Sequence, residues 1–195
     1  MESYLLILLI SIIIIYKYFN ESEVIYIEYY YNNIIKKYLV RNKPDKDKAV
    51  ETLYNLEMCL INLINKLDDD KSVIESSMYK YLKNLKEKIK KVGIQETPEN
   101  SNYTSYSVNK GELLVFCIRS KKTGEIHNIN ELKYVAIHEL AHIACPEIGH
   151  TSLFFDINKY LLNKAIEYNL YEYIDYNKET KEYCGMELNI NIASK

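Results

Sequence analysis

Residues 130–150 read NELKYVAIHELAHIACPEIGH, and this stretch decides the fold. Leu132, Val135, Ala136, Ile137, Leu140 and Ile143 recur at helical spacing and form a broad apolar stripe between Glu131 and Ala144. Asn130 is suited to cap the start of that helix. Pro146 stops it one residue after Cys145. His138 and His142 lie four residues apart, so they share one face, and Glu139 follows the first of them. Imidazoles on a helix this apolar need partners.

The spacing is the H-E-x-x-H pattern, in which two histidines of one helix hold a zinc ion and the Glu reaches a water on it. Catalytic zinc takes three protein ligands and leaves one position open. His150 is the candidate third ligand, because Gly149 lets the chain turn back after the helix ends. Glu147 is a nearer carboxylate, and Glu167 or Glu172 could serve from the next helix. The expected centre is Zn2+ on His138, His142 and His150, with Glu139 as general base. Its chemistry would be hydrolysis of a peptide or isopeptide bond in a protein or peptide substrate. Tyr183 and Tyr176 are candidate oxyanion donors only as downstream phenols, in a chain with 20 tyrosines. His127 lies in a polar loop and reads as a surface residue.

Upstream, residues 111–120 read GELLVFCIRS. The continuous apolar run from Leu113 to Ile118, bounded by Gly111 and a polar turn, predicts a buried strand. An unpaired strand edge beside the helix would suit an extended substrate, whose peptide groups complete the ladder.

Together, Ser107 to Gly111, the strand ending Ile118-Arg119, and Tyr134 to His142 resemble the WLM family of metallopeptidases, relatives of the SprT and Spartan proteases. Gly149-His150-Thr151 followed by Phe154-Phe155 is similar to that family's His-then-Phe segment, in which the His is the third zinc ligand. Tyr183-Cys184-Gly185-Met186 is similar to the close of WLM-like proteins from large DNA viruses. The resemblance covers about Tyr103 to Ile190 and implies a compact zincin-like domain. Its better-studied members cleave proteins crosslinked to DNA. The chain departs from the cellular pattern in the seven residues between His142 and His150, and it shows no ubiquitin-interacting tail or nucleic-acid module.

Composition adds bounds. Ile, Lys, Asn and Tyr are abundant, Trp is absent, and there are 5 Gly and 3 Pro, a bias that fits an AT-rich or viral source. The formal net charge of -2 carries no global basic signal for nucleic acid. The four cysteines, Cys59, Cys117, Cys145 and Cys184, show no paired spacing and read as thiols.

Tyr4 to Tyr16 is apolar apart from Ser11 and the two tyrosines, and Lys17 follows. Aromatic edges and the lack of a cleavage site predict an uncleaved membrane anchor. Lys17, Lys36 and Lys37 after the run place the remainder in the cytoplasm or a virion interior. Val24 to Val40 reads as a tyrosine-rich helix or stalk broken at Asn42-Lys43-Pro44-Asp45. Asp47 to Leu67 and Val73 to Val92 read as two helices, the first packing on the sheet and the second lysine-rich. Thr151 to Tyr168 is a further amphipathic helix, closed by Asn169, and Tyr171 to Lys195 wraps the surface.

The expected architecture is an α+β zincin-like metallopeptidase domain, a small mixed sheet plus the active-site helix, behind an N-terminal helical extension. Its parts are an anchor (1–19), a helical stalk or linker (20–46) and the metallopeptidase domain (47–195). Two other functions fit less of the pattern: a non-catalytic zinc-bound or membrane-tethered viral scaffold, and a protease acting on DNA-crosslinked proteins. The sequence gives no sign of oligomeric state.

Overall fold

The computed structural model describes residues 2–20, 23–189 and 192. Its helices are α1 (Glu2–Asn20), α2 (Lys46–Asp69), α3 (Lys71–Ile74), α4 (Tyr79–Leu82), α5 (Leu85–Ile89), α6 (Ile129–Ala144) and α7 (Ser152–Glu167). Its strands are β1 (Val24–Tyr31), β2 (Ile34–Arg41), β3 (Gly93–Glu96), β4 (Tyr106–Val108), β5 (Leu113–Phe116), β6 (Lys181–Tyr183) and β7 (Met186–Leu188). Five strands form one sheet in the order β1-β2-β3-β5-β4, and β6-β7 is a separate hairpin. The β2–β3 and β3–β5 pairs are parallel, while β1–β2 and β4–β5 are antiparallel. The fold is therefore mixed α+β, as expected.

Helix α2 supplies much of the core. Leu53, Leu56, Leu60 and Leu63 are fully buried along one of its faces, and that face packs on β2, β3 and α6. α6 in turn packs on α7, where Phe154, Ile157, Leu161 and Leu162 are fully buried. Strand β5 is buried as its apolar run predicts, but it is an interior strand. The free edge next to α6 belongs to β4, whose short polar sequence gives no clear strand signal.

The segment read as a helical stalk is a hairpin. Tyr31 pairs with Ile34, so Asn32-Asn33 is a two-residue turn, and both asparagines have positive φ (47° and 62°). That is the backbone of a type I′ turn, which favours Asn. Ile25, Ile27 and Tyr29 then face inward at period two, while Tyr26 and Tyr30 face solvent. The lysine-rich helix expected from Val73 to Val92 is three short helices. Val73, Leu82, Leu85 and Ile89 still reach the core. Several of its lysines are engaged within the chain: Lys86 with Asp68, Lys90 with Glu87, and Lys88 on the Ile143 carbonyl.

The membrane anchor and the single-pass placement are corrected. No helix among the described residues is long and apolar enough to cross a membrane. The physical reason is length: a span needs roughly 20 consecutive apolar residues, and the apolar run from Tyr4 to Tyr16 is only thirteen residues long. The orientation argument fails with it, and the Lys17 side chain lies outside the described part.

The cysteine expectation is also corrected. Cys117, just beyond β5, and Cys184, in the β6–β7 turn, form a disulfide across 67 residues of sequence. Spacing could not reveal this pair because the fold alone brings the two segments together. Cys59 and Cys145 are free and buried. Asn169 has the left-handed backbone expected of it, with φ 58°. Residues 190, 191 and 193–195 of the C-terminal segment lie outside the description.

Candidate metal centre

Helix α6 begins two residues earlier than its apolar stripe suggested. Its cap is Asn128, whose side chain accepts the Asn130 N–H at 2.8 Å. Asn130 instead exchanges two hydrogen bonds with the backbone of Glu172, at 2.7 and 2.9 Å. Cys145 leaves the helix in extended conformation, ahead of Pro146. The chain then turns at Gly149, whose φ of 84° favours glycine. His150 is thereby brought back over the helix face that carries His138 and His142.

The three Nε2 atoms converge. His138 and His150 approach to 3.1 Å, and His142 and His150 to 3.2 Å. A tetrahedral zinc with Zn–N bonds of about 2.0–2.1 Å separates its ligand atoms by about 3.3–3.4 Å, so the spacing fits. Hydrogen bonding fits less well, because one ring nitrogen of His150 cannot satisfy two neighbours with a single proton. Burial, then the nearby His142 and His150, push the His138 imidazole down to about 3. Burial, then His150 and Lys110, push His142 down to about 4. Neutral imidazoles facing one another are a donor set that suits a divalent cation. Among the described residues these three form the cluster able to hold one.

Neighbouring side chains fix the geometry. Phe154, on α7, stacks on His142 with centroids 4.2 Å apart and meets His138 and His150 edge-on. Lys110 Nζ donates to the carbonyls of Cys145 (2.7 Å) and Glu147 (2.6 Å), clasping the turn that leads to His150. Lys110 can reach because the β4–β5 turn lies against α6. A Cβ at Gly111, where φ is 110°, would sit 3.1 Å from Ile143.

Glu139 is buried, and that burial pushes its carboxyl up to about 7, while a hydrogen bond from the Ser107 backbone pulls the other way. Glu139 and the three histidines line one cleft of about 750 Å³. The lining includes Ser105, Tyr106 and Ser107, from β4 and the segment before it. It also includes Tyr183, Met186 and Leu188 from the β6–β7 hairpin.

The other sequence candidates sort clearly. Tyr183 lines the cleft, with its hydroxyl hydrogen-bonded to Ser105 Oγ. Tyr176 packs on Tyr134 away from the lining. Glu147 lies at the cleft but outside the imidazole cluster. Glu167 pairs with Lys164, and the Glu172 backbone with Asn130. Cys145 is buried beside the turn and is not in the cluster. His127 is not a surface residue: it is half-buried, rests beside Tyr183, and its Nε2 accepts the Cys184 N–H at 3.2 Å. Sequence reading missed Asn158, a fully buried polar side chain on α7, 3.3 Å from His138 Nδ1. Its one signal was an amide on the apolar face of that helix.

No family model matches the chain. Among solved structures, the crystal structure of a Wss1 mutant from Saccharomyces cerevisiae aligns over 68% of this chain and 92% of that one, at 16% identity and a TM-score of 0.48. A second Wss1 structure aligns at 20% identity and a TM-score of 0.42. These values record a partial likeness of shape. Sequence relatives are viral. The protein 136R of Invertebrate iridescent virus 6 is 36% identical over 95 residues, about half of each chain (48% and 49%). The protein 042R of Invertebrate iridescent virus 3 is 37% identical over 82 residues, 42% of this chain and 50% of that one. The match to the protein R325 of Acanthamoeba polyphaga mimivirus runs almost end to end, 38% identical over 185 residues, 93% of this chain and 91% of that protein. The chain belongs to the viral protein family that includes mimivirus R325.

Proposed function

We propose that this protein is a zinc metallopeptidase that hydrolyses peptide or isopeptide bonds. The observation that carries the reading is the meeting of three imidazole Nε2 atoms beside a buried carboxyl, with all four side chains on one cleft. The H-E-x-x-H spacing and the resemblance to WLM peptidases support it.

His138, His142 and His150 would hold the ion. When bound, zinc supplies Lewis-acid polarisation of the scissile carbonyl and lowers the pKa of a water toward 7. Glu139 takes a proton from the attacking water and later delivers it to the leaving amine. Its position, buried on the cleft beside the three imidazoles, suits both roles. The Tyr183 hydroxyl is the candidate donor to the carbonyl oxygen as charge develops there. Its bond to Ser105 holds the phenol in place. Strand β4 is an edge strand at the cleft, so an extended substrate can add to it by main-chain hydrogen bonds.

The test is cleavage of an unfolded protein substrate by the zinc-supplemented full chain. Glu139→Gln should abolish turnover and retain zinc. A Glu139→Gln protein that cleaves at the wild-type rate would reject the proposal, as would a wild-type protein that cleaves nothing.

A further inference from the structure

Asn158 lies on α7, one turn beyond Phe154, and is fully buried. Its carboxamide meets His138 Nδ1 at 3.3 Å on the side of the ring away from the imidazole cluster. The two ends of a carboxamide have nearly the same shape, so partners decide which end faces the ring. With nitrogen toward the ring, Nδ1 accepts, and the proton of a neutral imidazole sits on Nε2, aimed at His150. Asn158 Oδ1 is then buried without a partner. With oxygen toward the ring, Oδ1 accepts from Nδ1–H, and Nε2 turns its lone pair to the cluster. Either orientation leaves one end of the amide in the same pocket, at similar cost. The histidines decide between them, because a metal ligand must present a lone pair, and an Nε2 proton would block it.

We infer that Asn158 is the positioning residue that fixes His138 in its Nδ1–H tautomer, with Oδ1 as acceptor. The inference rests on the metal-centre reading and adds a residue that does not touch the ion. Ligating histidines usually give their second ring N–H to an oxygen acceptor, and loss of that acceptor typically costs 10–100-fold in metal affinity.

The experiment measures zinc affinity of the full chain by competition with a chromophoric chelator. Asn158→Leu, similar in shape but without an acceptor, should weaken zinc by about 10–100-fold. Asn158→Asp, which can only accept, should bind within about threefold of wild type or tighter. A second measurement needs no variant: nitrogen-15 NMR of the metal-free wild type should show the His138 Nδ1 carrying the proton. An unprotonated Nδ1, or wild-type affinity in Asn158→Leu, overturns the role of Asn158 and leaves the metal centre standing. Failure of the wild type to bind zinc overturns both.

Discussion

The backbone N–H of Ser107, on edge strand β4, donates to the carboxylate of Glu139 on α6. One strand thus faces the cleft and also steadies the group proposed as its base. The bond favours the charged form, burial opposes it more strongly, and the carboxyl ends near 7. A carboxylate held in this way is costly to the fold at high pH.

The metal-free protein should show that cost. The folded pKa is raised from 4.5 to about 7, so the folded state holds a proton that the unfolded chain has lost across that window. Stability contributed by Glu139 is present below 4.5 and lost as pH rises through 7. Glu139→Gln removes the dependence. It should be more stable than wild type at pH 8, by about 3 kcal/mol at most. The gain should vanish by pH 4.5, as read by urea denaturation in chelator at both pH values.

His150 stands exposed on its turn, whereas His138 and His142 are half-buried on α6. His150→Ala should therefore change metal-free stability by no more than about 0.5 kcal/mol. Zinc should raise the melting temperature of wild type and fail to do so in His150→Ala. Thermal melts with and without zinc separate a ligand from a packing residue.

The disulfide joins the end of β5 to the hairpin that carries Tyr183. Replacing both Cys117 and Cys184 by Ala should cost about 2–4 kcal/mol in denaturant unfolding. Reduction of the wild type should shift its unfolding midpoint in the same direction.

At the end of β3, Glu96 is fully buried and accepts Arg119 Nε–H at 2.7 Å and the Arg41 backbone N–H at 2.8 Å. Arg119 also reaches Asp45. Glu96→Leu leaves the buried Arg119 Nε–H and the Arg41 backbone N–H without their acceptor and should cost about 3–5 kcal/mol. Equilibrium unfolding of that variant measures it.

Features set by local periodicity were legible in the sequence. The apolar stripes of α2, α6 and α7 and the continuous run of β5 gave those elements, and one helix face gave His138 and His142. The turn to His150 was legible because a Pro-stop and a glycine bracket it. Features set by distant partners were not. The β1–β2 hairpin carries tyrosines on both faces, and that concealed its alternation; Asn32-Asn33 was the available cue. Strand β4 is three residues long and polar enough to pass for loop. The disulfide, and the amide of Asn158 behind His138, join segments that only the tertiary fold brings together. The N-terminal run misled because composition resembled an anchor while its length fell short of one.

The proposed chemistry requires His138, His142 and His150 to bind one zinc ion together. X-ray absorption at the zinc edge tests this most directly, on full-length protein loaded with one equivalent. The expected spectrum has three imidazole nitrogens at about 2.0–2.1 Å and one further light ligand, falling to two imidazoles in His150→Ala. Zinc without imidazole scattering, or a spectrum unchanged by His150→Ala, would contradict the account.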